Sequence, residues 1–470
     1  MTLITQNASR ISKDMVRALA EHGAQVKGQV REVADKAATS LDKLVLSSAT
    51  RANKVTYHVG AEETFKAIMG SLDKAEKSFH IETFIWHDDE SGRQLAEALV
   101  NKVKTAKDAG KTFDAKVLID SIGLKSGYGT DDKKIVEFLN QNGVEARIFN
   151  PKKVNVEAKG MLPLTHRKLY IADGQRYQIG GRNVGDEYFK SQYHTKWGDE
   201  KSLANSYHDF AMTVEGEETG RVQGEFFKNW KNAGGTVPET LPVAKAPADA
   251  HTRIQTFVTD PLTGEQGLKE AHLKAIANAK REINVISPYF ADDDFVNALI
   301  SAKQKNTETR AKLLAQATNK YERHAVDQAV PELKVRALMP ISGEKGKDLN
   351  YQIDMETARQ LLDAGIEVRL SKGGVEGGKA IERFSHFKGM TIDGELLSVG
   401  SANADYRTYN TNHEIVNLVA DREKVAEFNQ KVTKPDWEAA MPITQDWIKK
   451  NSTWTERAFR KVAEALDFLY

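Results

Sequence analysis

His166-Arg-Lys168-Leu-Tyr-Ile-Ala-Asp173-Gly174, with Gly180-Gly181-Arg182-Asn183 after it, returns 220 residues later as His386-Phe-Lys388-Gly-Met-Thr-Ile-Asp393-Gly394 and Gly400-Ser401-Ala402-Asn403. In both copies Lys follows His by two positions, Asp by seven and Asn by seventeen. Apolar residues flank each Asp-Gly, and that dipeptide favours a tight hairpin turn. On a strand, positions i and i+2 share a face, so each His and Lys are expected side by side. The Gly-Gly or Gly-Ser step lets backbone approach closely and brings the following Asn beside the Lys. In this reading Asp173 and Asp393 are structural members of the turns, while His166, Lys168 and Asn183 converge, as do His386, Lys388 and Asn403.

The surrounding chain repeats as well. Phe79–Trp86 and Ile283–Phe290 are apolar strands that end in His87-Asp88-Asp89-Glu90 and Ala291-Asp292-Asp293-Asp294. Lys116–Asp120 and Lys334–Met339 read as second strands, and Gly143–Phe149 and Gly365–Leu370 as third strands, with amphipathic stretches between them. Such alternation predicts an α/β sheet with helices on its faces. The acidic cluster at 87–90 reads as a solvated helix start rather than a metal site.

Residues 1–56 are expected as a helical arm, with Val26, Val30, Val33, Ala37, Leu41 and Leu44 at helical spacing. A first lobe spans 57–233. Residues 234–252 hold Pro238, Pro242 and Pro247 and read as an extended linker. A second lobe spans 253–436, with a polar helical insertion at 306–330 that the first lobe lacks. Residues 437–470 are expected as a helical tail. Within it Trp454, Ala458, Val462 and Leu466 form an apolar stripe beside Arg457, Arg460 and Lys461. It suits either docking on the core or lying on an anionic membrane surface.

The 470 residues carry 67 basic and 66 acidic side chains, for a net charge of +1. That balance disfavours a long nucleic-acid footprint, although Lys152, Lys153 and Lys159 could line a cleft before His166. There are no cysteines, so thiolate metal sites and disulfides are excluded. No apolar run approaches the roughly 18 residues that span a bilayer, and Met1–Lys13 lacks the hydrophobic core of a secretory signal. A cytoplasmic protein, peripheral to the inner membrane, is the expectation, with signal-independent export as the other route. No HExxH, Cys pair or Walker loop points to a metal or cofactor, so none is expected.

A duplicated His/Lys/Asn set suits phosphodiester chemistry. Lys168 and Lys388 can neutralise the phosphate, and Asn183 and Asn403 can donate hydrogen bonds to it. One imidazole can attack phosphorus while the other protonates the departing oxygen. Each imidazole needs an acceptor on its second ring nitrogen. Asp209, in Ser206-Tyr-His-Asp209, is expected to orient His166. Glu414, in Asn412-His-Glu414, is expected to orient His386.

These motifs resemble those of the phospholipase D superfamily, whose paired HxKxxxxD motifs are each followed by Gly-Gly or Gly-Ser and then Asn. The resemblance places His166, Lys168 and Asp173 with His386, Lys388 and Asp393 in the catalytic motifs. Ile81–Glu90, Gly180–Tyr188 and Gly400–Arg407 further resemble bacterial cardiolipin synthases. The resemblance implies two α/β/α sandwich lobes related by a pseudo-twofold axis, with the site at their interface. It also implies a phosphohistidine intermediate on His166, with His386 as acid and then base. The implied reaction is phosphatidyl transfer with phosphatidylglycerol as donor and acceptor. Hydrolysis by the same residues, in an exported effector for example, is the alternative, and a nuclease or a lipid-binding scaffold ranks below it. Two departures from the family pattern, Phe387 and Arg182, are expected to narrow the site or alter its substrate.

Overall fold

In the computed structural model, which describes residues 45–125, 132–149, 163–190, 206–341 and 349–451, the two halves lay down the same seven strands in the same order. The first half gives β1 (Thr50–Val59), β2 (Ser78–Thr83), β3 (Asp114–Asp120), β4 (Glu145–Phe149), β5 (Leu169–Ala172), β6 (Arg176–Gly180) and β7 (Phe210–Gly216). The second gives β8 (Thr252–Thr259), β9 (Glu282–Ile286), β10 (Lys334–Pro340), β11 (Glu367–Ser371), β12 (Gly389–Ile392), β13 (Leu396–Gly400) and β14 (Glu414–Ala420). A short β15 (Met441–Pro442) borders β11. From the centre outward the order is β1-β7-β6-β5-β2-β3-β4 on one side and β8-β14-β13-β12-β9-β10-β11 on the other. β2, β3 and β4 run parallel, as do β9, β10 and β11.

β1 and β8 pair antiparallel, which fuses the halves into one 15-stranded sheet. An antiparallel seam is what a twofold axis between equivalent strands produces. Along β3, Val117 and Ile119 enter one apolar cluster and Leu118 another, because successive side chains face opposite sides. Helices Ala61–Lys74, Glu90–Asp108 and Lys133–Gln141 cover one face of the first half. Gly267–Ala277, Asp293–Gln316 and Leu349–Asp363 cover the second. On the other face a cluster shared by both halves packs against Glu218–Asn232 and Arg422–Phe428.

Several boundaries differ from the sequence expectation. Residues 50–56, assigned to the arm, belong to β1, whose alternating Val55 and Tyr57 are buried against β7. Of the rest of the arm, Val45 and Leu46 are buried in the core of the second half, and residues 1–44, including Val26 to Leu44, lie outside the described residues. So do Lys152, Lys153 and Lys159 and the Trp454–Leu466 stripe. The start of the tail is not continuous helix. Met441-Pro442 joins the sheet edge, where proline's missing N–H breaks no ladder bond, between helices Lys434–Ala439 and Gln445–Lys450. Of residues 234–252, those up to 251 hold no helix or strand and Thr252 begins β8, with Val237 and Leu241 resting on the shared core. The 306–330 segment is helical, and Leu313, Val326 and Val330 give it a small core of its own. Among the described residues no helix is long and apolar enough to cross a membrane.

Candidate active site

Each HxK segment sits just ahead of its strand, not on it. β5 begins at Leu169 and β12 at Gly389. The segments leave the sheet because they cross to the opposite half. Thr165 bridges His413, and His166 N donates to His413 O at 3.0 Å. Phe384–Ser385 pairs in parallel with Tyr207–His208, and His386 N donates to His208 O at 2.8 Å.

The side chains follow this exchange. His166 Nδ1 lies 2.8 Å from Glu414 Oε1, and His386 Nδ1 lies 2.8 Å from Asp209 Oδ2. The expected pairing within each half is therefore corrected. Asp209 serves His386 and Glu414 serves His166, because the pseudo-twofold axis runs between each motif and the carboxylate that follows it. The Gly-Gly and Gly-Ser steps have separate reasons. A Cβ on Gly181 would lie 2.4 Å from Asp209 Oδ2. Ser401 Oγ donates to Glu414 Oε2 at 2.5 Å. Glycine makes room for one carboxylate and serine fastens the other.

Lys168 and Lys388 are buried, and each donates to the carbonyl of its own histidine at 2.6 Å. Lys388 Nζ also lies 3.1 Å from His386 Nε2. Burial pushes both lysines down, Lys388 to about 8, against the pull of Asp209 and Glu414. Burial also lowers both imidazoles, His386 to about 3, and each feels the lysine of the other half as well as its own. The two half-sites thus share one electrostatic environment. Burial raises Asp209 and Glu414, but their histidine partners and the lysines hold both below the usual carboxylate range. Burial thus favours neutral imidazoles while Asp209 and Glu414 stay charged, and the two lysine amines stand in the same field.

Asn183 donates to Tyr188 Oη at 2.9 Å and Asn403 to Asp405 Oδ2 at 2.8 Å. The buried Asn403 Oδ1 has no hydrogen-bond partner among the described residues. Phe84 stands edge-on to His166 at 5.5 Å, and Tyr207 stacks on His386 at 5.1 Å.

Asp173 and Asp393 do not join this group, which corrects their place in a catalytic set. Asp173 accepts from Glu76, Lys77 and Ser78 N, and Asp393 from Lys280, Arg281 and Glu282 N. Both have φ 55° at the far ends of β5 and β12, as the turn reading expects.

Phe387 faces away from the site into the shared core, against Phe210 and Phe428. Its neighbours His386 and Lys388 take the other side, so Phe387 does not narrow the cleft. Arg182 is a buried clamp, not a lining residue. It donates to the carbonyls of Tyr188, Tyr207 and Asp209. His87 is buried, with Nδ1 2.9 Å from Asp132 Oδ2, but Asp88 and Asp89 are half-buried and Glu90 is exposed where the helix Glu90–Asp108 begins. Asp89 still caps the next helix through Gly92 N. Among the described residues no three His, Asp or Glu side chains are grouped as a metal ion requires.

The family model of the cardiolipin synthase, phospholipase D-like domain matches residues 272–437. A cardiolipin synthase of Listeria monocytogenes is 26% identical over 408 residues, covering 86% of this chain and 73% of its own. Cardiolipin synthase 2 of Bacillus cereus is 26% identical over 440 residues, covering 93% of this chain and 73% of its own. The crystal structure of phosphatidylserine synthase from Haemophilus influenzae superposes with a TM-score of 0.60 at 12% identity, over 92% of this chain and 99% of that one. The second half of the chain is thus similar to the phospholipase D-like domain of cardiolipin synthases, and most of its length is similar to whole cardiolipin synthases.

Proposed function

We propose that the chain is a phosphatidyltransferase that joins two phosphatidylglycerol molecules through a phosphohistidine on His166. The observation that carries this reading is the crossed pair, with each imidazole fixed through Nδ1 by a carboxylate of the other half beside two buried lysines. A base held at Nδ1 presents Nε2 as its reacting atom. Lys388 already occupies His386 Nε2, while His166 Nε2 has no hydrogen bond among the described residues. That asymmetry supports His166 as nucleophile.

In the reaction, Lys168 and Lys388 clamp the phosphodiester oxygens. The phosphate's negative charge raises His386 toward its protonated form. His166 Nε2 attacks phosphorus, the bond to the glycerol headgroup breaks, and His386 gives that oxygen its proton. A hydroxyl of a second phosphatidylglycerol then returns a proton to His386 and attacks phosphorus. The N–P bond breaks and cardiolipin leaves. Water in the second step gives phosphatidic acid instead. Substrates of this kind place the protein on a lipid surface, as a peripheral enzyme.

The test is purified protein on vesicles of labelled phosphatidylglycerol, with products separated. Cardiolipin and glycerol support the proposal. Phosphatidic acid as the sole lipid product replaces transfer with hydrolysis. Cleavage of single-stranded DNA without lipid turnover overturns both.

A further inference from the structure

The dipeptide that holds His386 carries a second histidine. His208 is 2% exposed, and its carbonyl accepts from His386 N at 2.8 Å. The adjacent Asp209 takes His386 Nδ1 at 2.8 Å. Both bonds that fix His386 against the first half therefore come from residues 208 and 209.

The ring of His208 is anchored in turn to the second half. Its Nε2 lies 2.8 Å from Asp436 Oδ2, on helix Lys434–Ala439. Its Nδ1 lies 3.2 Å from Glu376 Oε1, on strand Gly373–Glu376. An imidazole with an acceptor at each nitrogen carries both protons. Burial pushes His208 down, but Asp436 and then Glu376 outweigh it and hold the ring at about 9. The carboxylates are themselves tied, Glu376 to Arg383 at 2.9 Å and Asp436 to Val375 N at 2.9 Å. Arg182 adds a cation that reaches Glu376. The packing leaves no slack, since a Cβ on Gly374 would lie 2.2 Å from His208 Nε2.

The equivalent residue of the other half is different. His413 also precedes an orienting carboxylate and also accepts the main-chain bond of a site histidine. Yet its ring nitrogens have no hydrogen-bond partner among the described residues, and Asp260 stands 3.5 Å away. Burial keeps it neutral. The two half-sites are therefore held by unlike devices, an ion-paired ring behind His386 and a ring without hydrogen-bond partners among the described residues behind His166.

We propose that His208 is a positioning residue for His386, an imidazolium strut between Asp436 and Glu376 that fixes the dipeptide on which the proton-transferring histidine hangs. The geometry stands on its own; the kinetic readout rests on the proposed transfer reaction. The test compares full-length His208→Gln, Asp436→Asn and Glu376→Gln with the parent protein. Kinetics on phosphatidylglycerol vesicles are paired with histidine ¹⁵N–¹H spectra of the His386 Nδ1 proton. Folded variants are expected to lose about tenfold or more in kcat with KM within about twofold, as misplacement of a reacting group does. The Nδ1 signal shifts or broadens in parallel. Asp436→Asn and Glu376→Gln leave residues 208 and 209 intact, so they decide the question even if His208→Gln does not fold. Folded variants with parental kcat and an unchanged His386 signal overturn the proposal. If the parent protein turns over no lipid, the functional reading fails, while the His386 signal still decides this one.

Discussion

Replacing Asp209 by Asn leaves the shape of the site and removes one charge. Asp209 Oδ2 lies 2.8 Å from His386 Nδ1, and Oδ1 accepts from Phe210 N at 2.7 Å. An asparagine cannot satisfy both donors. With its oxygen toward His386, its amide meets the Phe210 N–H. With its amide toward His386, the ring must accept at Nδ1 and carry its proton on Nε2 without a carboxylate to support the imidazolium. Loss of an oriented general acid–base costs about 10²–10⁴-fold, or roughly 3–5 kcal/mol of barrier. Single-turnover kinetics on labelled phosphatidylglycerol vesicles should show this loss in Asp209→Asn, with circular dichroism and thermal melting confirming the fold. Glu414→Gln should lose a similar amount. A folded Asp209→Asn enzyme keeping more than about a third of the parental rate, far short of that expected loss, would refute the crossed-carboxylate reasoning.

Two further outcomes follow from the same geometry. The kcat/KM of the free enzyme should fall as pH rises through about 8, because Lys388 is charged below that value and its phosphate clamp weakens as it deprotonates; a pH–rate series checks this, and a flat profile to pH 10 contradicts it. Asp173→Asn weakens a turn, not the chemistry: with three backbone N–H donors losing a carboxylate partner, stability should drop by about 1–3 kcal/mol, read by urea denaturation, while the folded fraction keeps its kcat.

The half-repeat was legible because its polar residues keep their offsets, and the strands around it were legible from their apolar runs; their order in the sheet was not. Asp173 and Asp393 were legible as turn residues from the Asp-Gly dipeptide alone, and the left-handed φ at both bears out that local chemistry. The crossing of the carboxylates was not legible. Asp209 and Glu414 each follow a motif in sequence, but a twofold axis that places the opposite motif beside each of them leaves no local signal. Phe387 and Arg182 were misread for a related reason. Each lies next to a site residue in sequence, yet side-chain alternation turns Phe387 to the core, and three loop carbonyls capture Arg182. His208 and His413 look alike in sequence, and only the residues brought against them from distant elements make one charged and the other neutral.

The shared phosphorus centre can be tested by trapping. His386→Ala protein, which retains His166 and lacks the group that activates the second alcohol, is mixed with phosphatidylglycerol bearing an activated headgroup and quenched in base. Peptide mass spectrometry should then find a phosphatidyl adduct on His166 and none on the double variant His166→Ala, His386→Ala. An adduct on another residue, or none while His386→Ala still turns over lipid, would contradict the account.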